Sequence, residues 1–208
     1  CKKEVEPSTS GNQQPTQGPE VAANIDGGEG IEGEAAVVVP VITPEVMAQQ
    51  LFNEGLVALT YDPPQLPSAV ERFAQVVQYQ PEWTEAHFNL GLAYFKTNNM
   101  IKASQSLEQA TRQDPELGEA WVLLAQSYQR QRRSGAALDA YEQCIQNVPA
   151  NVDCRLGQVQ MALDSRESPS KIIQQSLEIL RINSTSIGAY VLLSQAYIRQ
   201  GEPQLAKF

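Results

Sequence analysis

The 208-residue sequence has a single histidine, His87, and only three cysteines. With no second histidine and no CxxC pair, it lacks the ligand clusters from which most zinc sites are built. It contains no GxxxxGK(S/T) segment, and the glycines at 27, 28, 30 and 33 follow no predicted strand, which argues against a phosphate loop. We therefore expect no metal, no cofactor and no catalytic residue.

Positive charge and long apolar runs are also scarce. Fifteen lysines and arginines stand against 24 aspartates and glutamates, for a net charge of −9. This balance argues against binding to nucleic acid, which requires a basic face. It also disfavours docking of the folded part onto anionic lipid. No apolar run approaches the roughly 18 residues that a membrane-spanning helix needs.

The first part of the chain, 1–43, differs from the rest. It is rich in Gly, Pro, Ser, Thr and Gln, and its only apolar run is 35–42. Such a segment cannot bury enough surface to offset the entropy of ordering it, so the composition predicts a disordered linker. The short valine-rich run could still pair with or pack against the domain that follows.

The remainder, 44–208, is organised by a repeat of 34 residues. Prolines recur at Pro81, Pro115 and Pro149, and Tyr94 is matched by Tyr128 at the same interval. A fixed period of this length indicates a solenoid in which each unit buries its apolar face against the next. Within each unit the apolar spacing is three or four, which predicts two amphipathic helices separated by a short turn.

Individual positions within the unit have distinct expected roles. We count them from 84 in one copy and from 118 in the next. Small residues at positions 8 and 20, such as Gly91 and Ala103, should allow the two helices to approach closely. Large residues at positions 4, 11 and 24 should fill the space between units. His87 lies at position 4 and is therefore predicted to be a core residue rather than a ligand or base.

This pattern resembles the tetratricopeptide repeat family. The resemblance implies an all-α fold, a right-handed superhelical solenoid of helix-turn-helix units, and a non-catalytic role in protein–protein interaction. We place repeats at 48–83, 84–117, 118–151 and 152–186, with an incomplete fifth at 187–208. The first has about two extra residues in its inter-helix turn. The fourth is degenerate: it has Arg155 at position 4, Ser184 at position 32 and an irregular turn at 164–169. Because the fifth stops early in its second helix, we expect a fragment of a longer array.

The resemblance also implies a partner-binding groove lined by positions 2, 5, 6, 9, 12 and 13 of each first helix. Carried over, these positions give Phe52, Asn53, Leu56, Phe88, Asn89, Leu92, Phe95, Lys96, Gln126, Arg130, Gln195 and Arg199. The groove is then apolar at its amino-terminal end and richer in amides further on. An apolar groove favours an amphipathic helix or an extended apolar segment. Some of these residues could instead contact neighbouring repeats.

The cysteines give two further expectations. A chain that begins at Cys1 and continues into a polar tether resembles a mature bacterial lipoprotein, in which that cysteine carries the lipid anchor. Lys2, in place of aspartate, implies the outer membrane. Cys144 and Cys154 flank a helix–helix turn, so antiparallel packing could bring them to bonding distance. A disulfide and a pair of small core residues are both compatible with the sequence.

Together these features favour a scaffold protein of the bacterial cell envelope, facing the periplasm or the surface. In its anchor and repeats it resembles the pilotin-type lipoproteins of type IV pilus secretins and related motility or secretion lipoproteins. Its expected partners are proteins of an envelope complex, with the membrane reached through the lipid anchor. Two alternatives stay open. The repeats could be the regulatory arm of a longer enzyme, or the protein could assemble with copies of itself.

Overall fold

The computed structural model describes residues 43–206, and this part of the chain is helical throughout. The linker predicted at 1–43 and the lipidation predicted at Cys1 lie outside it, apart from Thr43. Within residues 43–206, nine α-helices follow one another, with a short 3₁₀ segment, Pro203–Ala206, after the last. They are α1 Pro44–Thr60, α2 Leu66–Tyr79, α3 Thr84–Lys96, α4 Met100–Gln113, α5 Gly118–Arg130, α6 Ser134–Asn147, α7 Val152–Asp164, α8 Pro169–Ile182 and α9 Ile187–Gln200.

The helices pack as antiparallel pairs that stack along one direction. Each helix contacts the next in sequence, and α3, α5, α7 and α9 also contact one another in that order. We call the surface made by these four helices the first-helix face. The second-helix face is made by α2, α4, α6 and α8, which are spaced more widely. The predicted all-α solenoid of helical pairs is confirmed.

The turns inside the pairs follow the 34-residue period into the fourth repeat. Asn98, Arg132 and Arg166 all have a positive φ, of 61°, 60° and 60°. The amide N–H of the following residue donates in each case to a carbonyl five residues back, as in Asn99 to Tyr94. The irregularity predicted at 164–169 is therefore limited to the length of the turn. The fourth repeat has the common turn followed by one additional residue, Ser168, before α8 begins.

The core between paired helices combines a small residue with a large one. The eighth residues of α2, α4 and α6 are Phe73, Leu107 and Tyr141, all fully or almost fully buried. A Cβ atom added at Gly91 would lie 2.6 Å from Leu107 Cγ, and one at Gly55 would lie 2.7 Å from the Phe73 ring. These contacts explain why the first helix carries glycine there. No larger side chain fits without displacing the large residue.

Position 4 has only part of the core role that the sequence predicted for it, since Trp121 packs against a core cluster but is partly exposed. His87 is only half-buried, and its Nε2 lies 2.8 Å from the Pro81 carbonyl oxygen. Trp121 donates its indole N–H to the Pro115 carbonyl at 2.9 Å, and Arg155 donates two N–H groups to the Pro149 carbonyl at 3.0 and 3.1 Å. Tyr190 repeats the contact with Ser184. What position 4 supplies is a long side chain with a donor that fixes the preceding turn.

A disulfide links the third and fourth repeats. Cys144 on α6 and Cys154 on α7 are bonded, with Cα atoms 6.2 Å apart, and neither is accessible to solvent. Helix α7 divides its buried residues between two core clusters. Cys154 and Met161 join the core of the second and third repeats, whereas Val159 and Leu163 join α8 and α9. The disulfide therefore lies where one core ends and the next begins.

Candidate protein-binding groove

An open groove of about 600 Å³ runs across the first-helix face between α5, α7 and α9. One side chain from α6 completes its floor. The lining residues are Val122, Gln126, Gln129, Tyr141, Asp153, Leu156, Gly157, Gln160, Gly188, Val191 and Leu192. The groove thus combines apolar side chains with a row of amides and a single carboxylate, which suits a polypeptide better than a small charged ligand.

The floor of the groove depends on the contact between Tyr141 and Gly157. Tyr141 belongs to α6, and its ring passes so close to Gly157 that a Cβ atom there would overlap it. Its hydroxyl donates to Gln129 Oε1 at 3.2 Å. Burial raises the pKa of Tyr141 to about 12. The hydroxyl therefore stays neutral at physiological pH and fixes one glutamine at the groove wall.

Glutamines recur along the groove at one register position. Gln126, Gln160 and Gln195 are the ninth residues of α5, α7 and α9. Gln126 and Gln160 line the groove itself, and Gln195 lines the adjoining surface of α9. An amide can both donate to and accept from a peptide main chain, so a row of them suits an extended segment. Gln160 is not among the residues predicted from the sequence, although its spacing of 34 residues from Gln126 identifies it.

The predicted aromatic residues of the second repeat are half-buried rather than free. Phe88 and Phe95 pack against the core of the second and third repeats, and the guanidinium carbon of Arg130 lies 4.2 Å from the Phe95 ring centroid. Leu92 is half-buried, and Asn89 donates to the carbonyl of Glu85. Two residues predicted to bind a partner, Phe95 and Arg130, therefore contact each other.

The predicted residues of the first repeat do not form a groove with the others. Phe52 stacks on Trp83 with centroids 4.5 Å apart and meets Phe73 edge-on at 5.6 Å, so its ring joins neighbouring helices. Phe52 therefore has a packing role, because Trp83 covers the face of its ring that a partner would need to contact. Asn53 lines a different depression between α1 and α2, and Leu56 is exposed.

The remaining predicted residues lie at the edges. Lys96 is exposed near the end of α3. Arg199 is engaged within the protein, because its Nη1 donates to the Leu163 carbonyl at 2.5 Å. It therefore joins α9 to the end of α7. Among the twelve residues named for the predicted groove, Gln126 lines the groove between α5, α7 and α9, with Gln195 beside it. The same positional rule also gives Val122, Gln129 and Val191, and these line the groove as well.

The described residues present no cluster of side chains suited to holding a metal ion. Between 43 and 206, no three His, Cys, Asp or Glu side chains come together to hold an ion. His87 is bonded to a backbone carbonyl rather than to a nucleophile. In the same part of the chain, every helix is too short or too polar to cross a bilayer.

These features define an α-solenoid with a peptide-sized groove on its first-helix face. Two models of the tetratricopeptide repeat match the sequence, one at 65–127 and the other at 118–151. Residues 65–151 therefore match the tetratricopeptide repeat family. Proteins built from such repeats generally mediate protein–protein interactions and are typically non-catalytic.

Several solved structures share the fold. The crystal structure of MamA protein is 21% identical, with a TM-score of 0.67 over 77% of this chain and 86% of that one. MamA from Desulfovibrio magneticus RS-1, from residue 41 onward, is 15% identical with a TM-score of 0.64. The match covers 77% of this chain and 89% of that one. YrrB, described as a tetratricopeptide protein with an unusual peptide-binding site, is 14% identical with a TM-score of 0.60. The match covers 76% of this chain and 80% of that one. At these identities the likeness concerns the fold alone. A comparison with curated protein sequences found no significant match.

Proposed function

We propose that this protein is a non-catalytic scaffold that holds an extended segment of a partner protein in the groove between α5, α7 and α9. The observation that supports it most directly is the groove itself, about 600 Å³ in volume and open along its length. The side-chain amide of Gln126 and the Oε1 of Gln160, whose Nε2 donates to Asp164, can bond to the main chain of an extended peptide. Val122, Leu156 and Val191 supply apolar contacts for its alternate side chains.

The partner would belong to a cell-envelope assembly, in keeping with the resemblance to pilotin-type lipoproteins. The Cys144–Cys154 disulfide favours this compartment, because disulfides persist in oxidising environments and are rare in the cytosol. A diacylglycerol on Cys1 would then anchor the protein at the outer membrane. Mass spectrometry of the amino-terminal peptide from native membranes tests the anchor, and an unmodified cysteine in membrane-free fractions would count against it.

Site-specific photo-crosslinking in intact cells tests the groove. A photoreactive amino acid replaces Gln126 or Gln160 in separate variants, and Gln174, exposed on α8 at the second-helix face, serves as the matched control. We expect the two groove positions to give the same discrete adduct and Gln174 to give none. Equal labelling from all three positions, or adducts from Gln174 alone, would place the partner elsewhere.

A further inference from the structure

A second depression lies on the opposite side of the solenoid, between the second helices α4 and α6. Its volume is about 410 Å³, and α5 forms its floor. The floor carries Trp121, Leu124 and Tyr128, and the walls carry Glu108 from α4 with Ala136 and Asp139 from α6. We call it the second-helix pocket. It shares no lining residue with the groove.

The corresponding place in the neighbouring repeats holds a lysine. The third residue of α4 is Lys102, whose ammonium lies 5.4 Å from the ring centroid of Tyr94. The third residue of α8 is Lys171. In α6 that position is Ala136, and Tyr128 replaces Tyr94 as the aromatic residue below. Lys171 is exposed and pairs with Glu167 at 3.1 Å, and α2 has Ser68 at this position, so the comparison rests on the second repeat. The pocket is the space over Tyr128 that a lysine placed like Lys102 would occupy.

Two carboxylates come together at this junction. Each has an acidic counterpart elsewhere, Glu142 at the ninth residue of α6 and Glu71 at the sixth residue of α2, but no other neighbouring pair of second helices among the described residues has acids at both positions. Glu108 is the ninth residue of α4, where α2 has Ala74, and Asp139 is the sixth residue of α6, where α4 has Gln105. Glu108 is half-buried and oriented by the Tyr128 hydroxyl, which donates to its Oε1 and leaves Oε2 without a partner. Asp139 is exposed and accepts no hydrogen bond from the described residues. The pocket has Ala136 where the second repeat has Lys102, and it has two acids at its rim. It should therefore attract a cation.

The nearby cations leave these carboxylates available. Arg112 lines the pocket, but its Nη1 donates to Gln109 Oε1 at 3.2 Å. Arg133, just before α6, lies with its guanidinium carbon 4.6 Å from the Tyr128 ring centroid and makes no ion pair with any other residue of the described part. That contact shows that the aromatic floor already accepts a cation on one side.

The geometry points to a docking site for a lysine or arginine side chain of a partner protein in the second-helix pocket. The aliphatic stem would lie on Trp121, Leu124 and Ala140, and the charged head would reach Glu108 and Asp139. Long basic side chains bury their stems and keep their heads near solvent, which matches an apolar floor under an acidic rim. The partner is thereby held from the side opposite the groove.

Titration of the full chain with blocked tripeptides tests the site. The probes are acetyl-Gly-Lys-Gly-amide, the norleucine analogue with the same stem and no charge, and the glutamate analogue. The NMR signal of the Trp121 indole N–H and the amide signals of Ala136 and Ala140 report occupancy. We expect the lysine peptide to shift these signals at millimolar concentration and to bind about threefold to tenfold more tightly than the norleucine peptide.

Variants separate the pocket from general charge effects. Ala136→Lys should fill the pocket from within, as Lys102 does in its own repeat, and abolish the shifts. Ala150→Lys adds the same charge at an exposed turn and should leave binding unchanged. Asp139→Asn should weaken the lysine peptide about threefold without affecting norleucine. Equal binding of lysine and norleucine, no shift with any probe, or undiminished binding to Ala136→Lys would overturn the proposal.

Discussion

In the second repeat a glycine on the first helix, Gly91, lies against a leucine on the second, Leu107, whereas the fourth repeat has Val159 and Ser176 at these positions. Val159 and Ser176 are both buried, at 2% and 0% exposure. The large and small residues have therefore exchanged helices. What the solenoid requires is the summed volume between paired helices rather than a given residue at either position.

The two regions also differ in how each repeat is joined to the one before it. The third repeat is joined to the second by apolar packing and by Trp121 bonding to the Pro115 carbonyl. The fourth is joined to the third by a disulfide and by Arg155, which gives two hydrogen bonds to the Pro149 carbonyl. Covalent and charged contacts thus supplement an apolar interface that α7 divides between two core clusters.

Among the substitutions that test this comparison, we expect the largest loss of stability at Tyr141. Tyr141→Ala removes a ring that is 2% exposed and that separates α6 from Gly157, so we expect a loss of about 3–5 kcal/mol in the free energy of unfolding. Denaturant unfolding followed by circular dichroism measures it. Tyr141→Phe keeps the ring, loses only the bond to Gln129 and should cost about 1 kcal/mol. Similar losses for both variants would mean that the hydroxyl, not the ring, supports the joint.

Removing the disulfide tests whether the fourth repeat depends on it. The bond spans ten residues of sequence, and loop-closure entropy for such a loop predicts a loss of about 2–3 kcal/mol in the Cys144→Ala/Cys154→Ala double variant. Hydrogen exchange should show the loss concentrated in α7 and α8, with α3 to α5 retaining their protection. Uniform loss of protection across all repeats would contradict a local role.

In the second repeat the small residue is on the first helix and the large residue is on the second. Restoring this arrangement in the fourth repeat tests whether Val159 and Ser176 share one space. Ser176→Leu alone should overpack the fourth repeat and cost about 1–3 kcal/mol. Adding Val159→Gly should relieve part of that strain. The double-mutant cycle should therefore show a favourable coupling of about 1 kcal/mol or more in denaturant unfolding. Additive losses would mean that the two positions do not share one space.

The position-4 side chains offer a smaller test of the joint between repeats. Trp121→Phe keeps an aromatic ring and loses the donor to Pro115, and Arg155→Met keeps the length and loses both donors to Pro149. Each should cost about 1 kcal/mol, because a carbonyl loses its partner. Arg155→Trp, which restores a donor, should cost less than Arg155→Met. If length alone were the requirement, Arg155→Met would be neutral.

The repeats could be predicted from the sequence because their period and apolar spacing are visible from the residue type at each position taken singly. It was misleading at Arg155 because a pattern of aromatic residues at position 4 hides the shared property, a donor at the end of a long side chain. The Val159 and Ser176 exchange was hidden for a related reason. Each residue looks like a departure when considered alone, and the compensation exists only in the pair.

The candidate groove was predicted less well than the fold. Gln126 follows from its register, and Gln160 could have been found in the same way. The stacking of Phe52 on Trp83 could not, because Trp83 precedes α3 and its approach depends on how the first two pairs are stacked. Arg166 likewise gives no local signal of its positive φ, since arginine has no preference for that conformation.

Ser176 provides the smallest and most specific test, at the register position that Tyr141 occupies in the third repeat. Its hydroxyl is fully buried and has no hydrogen-bond partner among the described residues. An unpaired buried hydroxyl is destabilising, so Ser176→Ala should raise the free energy of unfolding by about 0.5–1 kcal/mol. Ser127, equally buried, donates to the Leu123 carbonyl at 2.7 Å, and Ser127→Ala should therefore lower stability by a similar amount. If the two variants change the free energy of unfolding with opposite signs, the fourth repeat contains an unpaired hydroxyl because its packing requires a small residue at Ser176. Losses of equal size would instead mean that the Ser176 hydroxyl has a partner that stabilises the repeat.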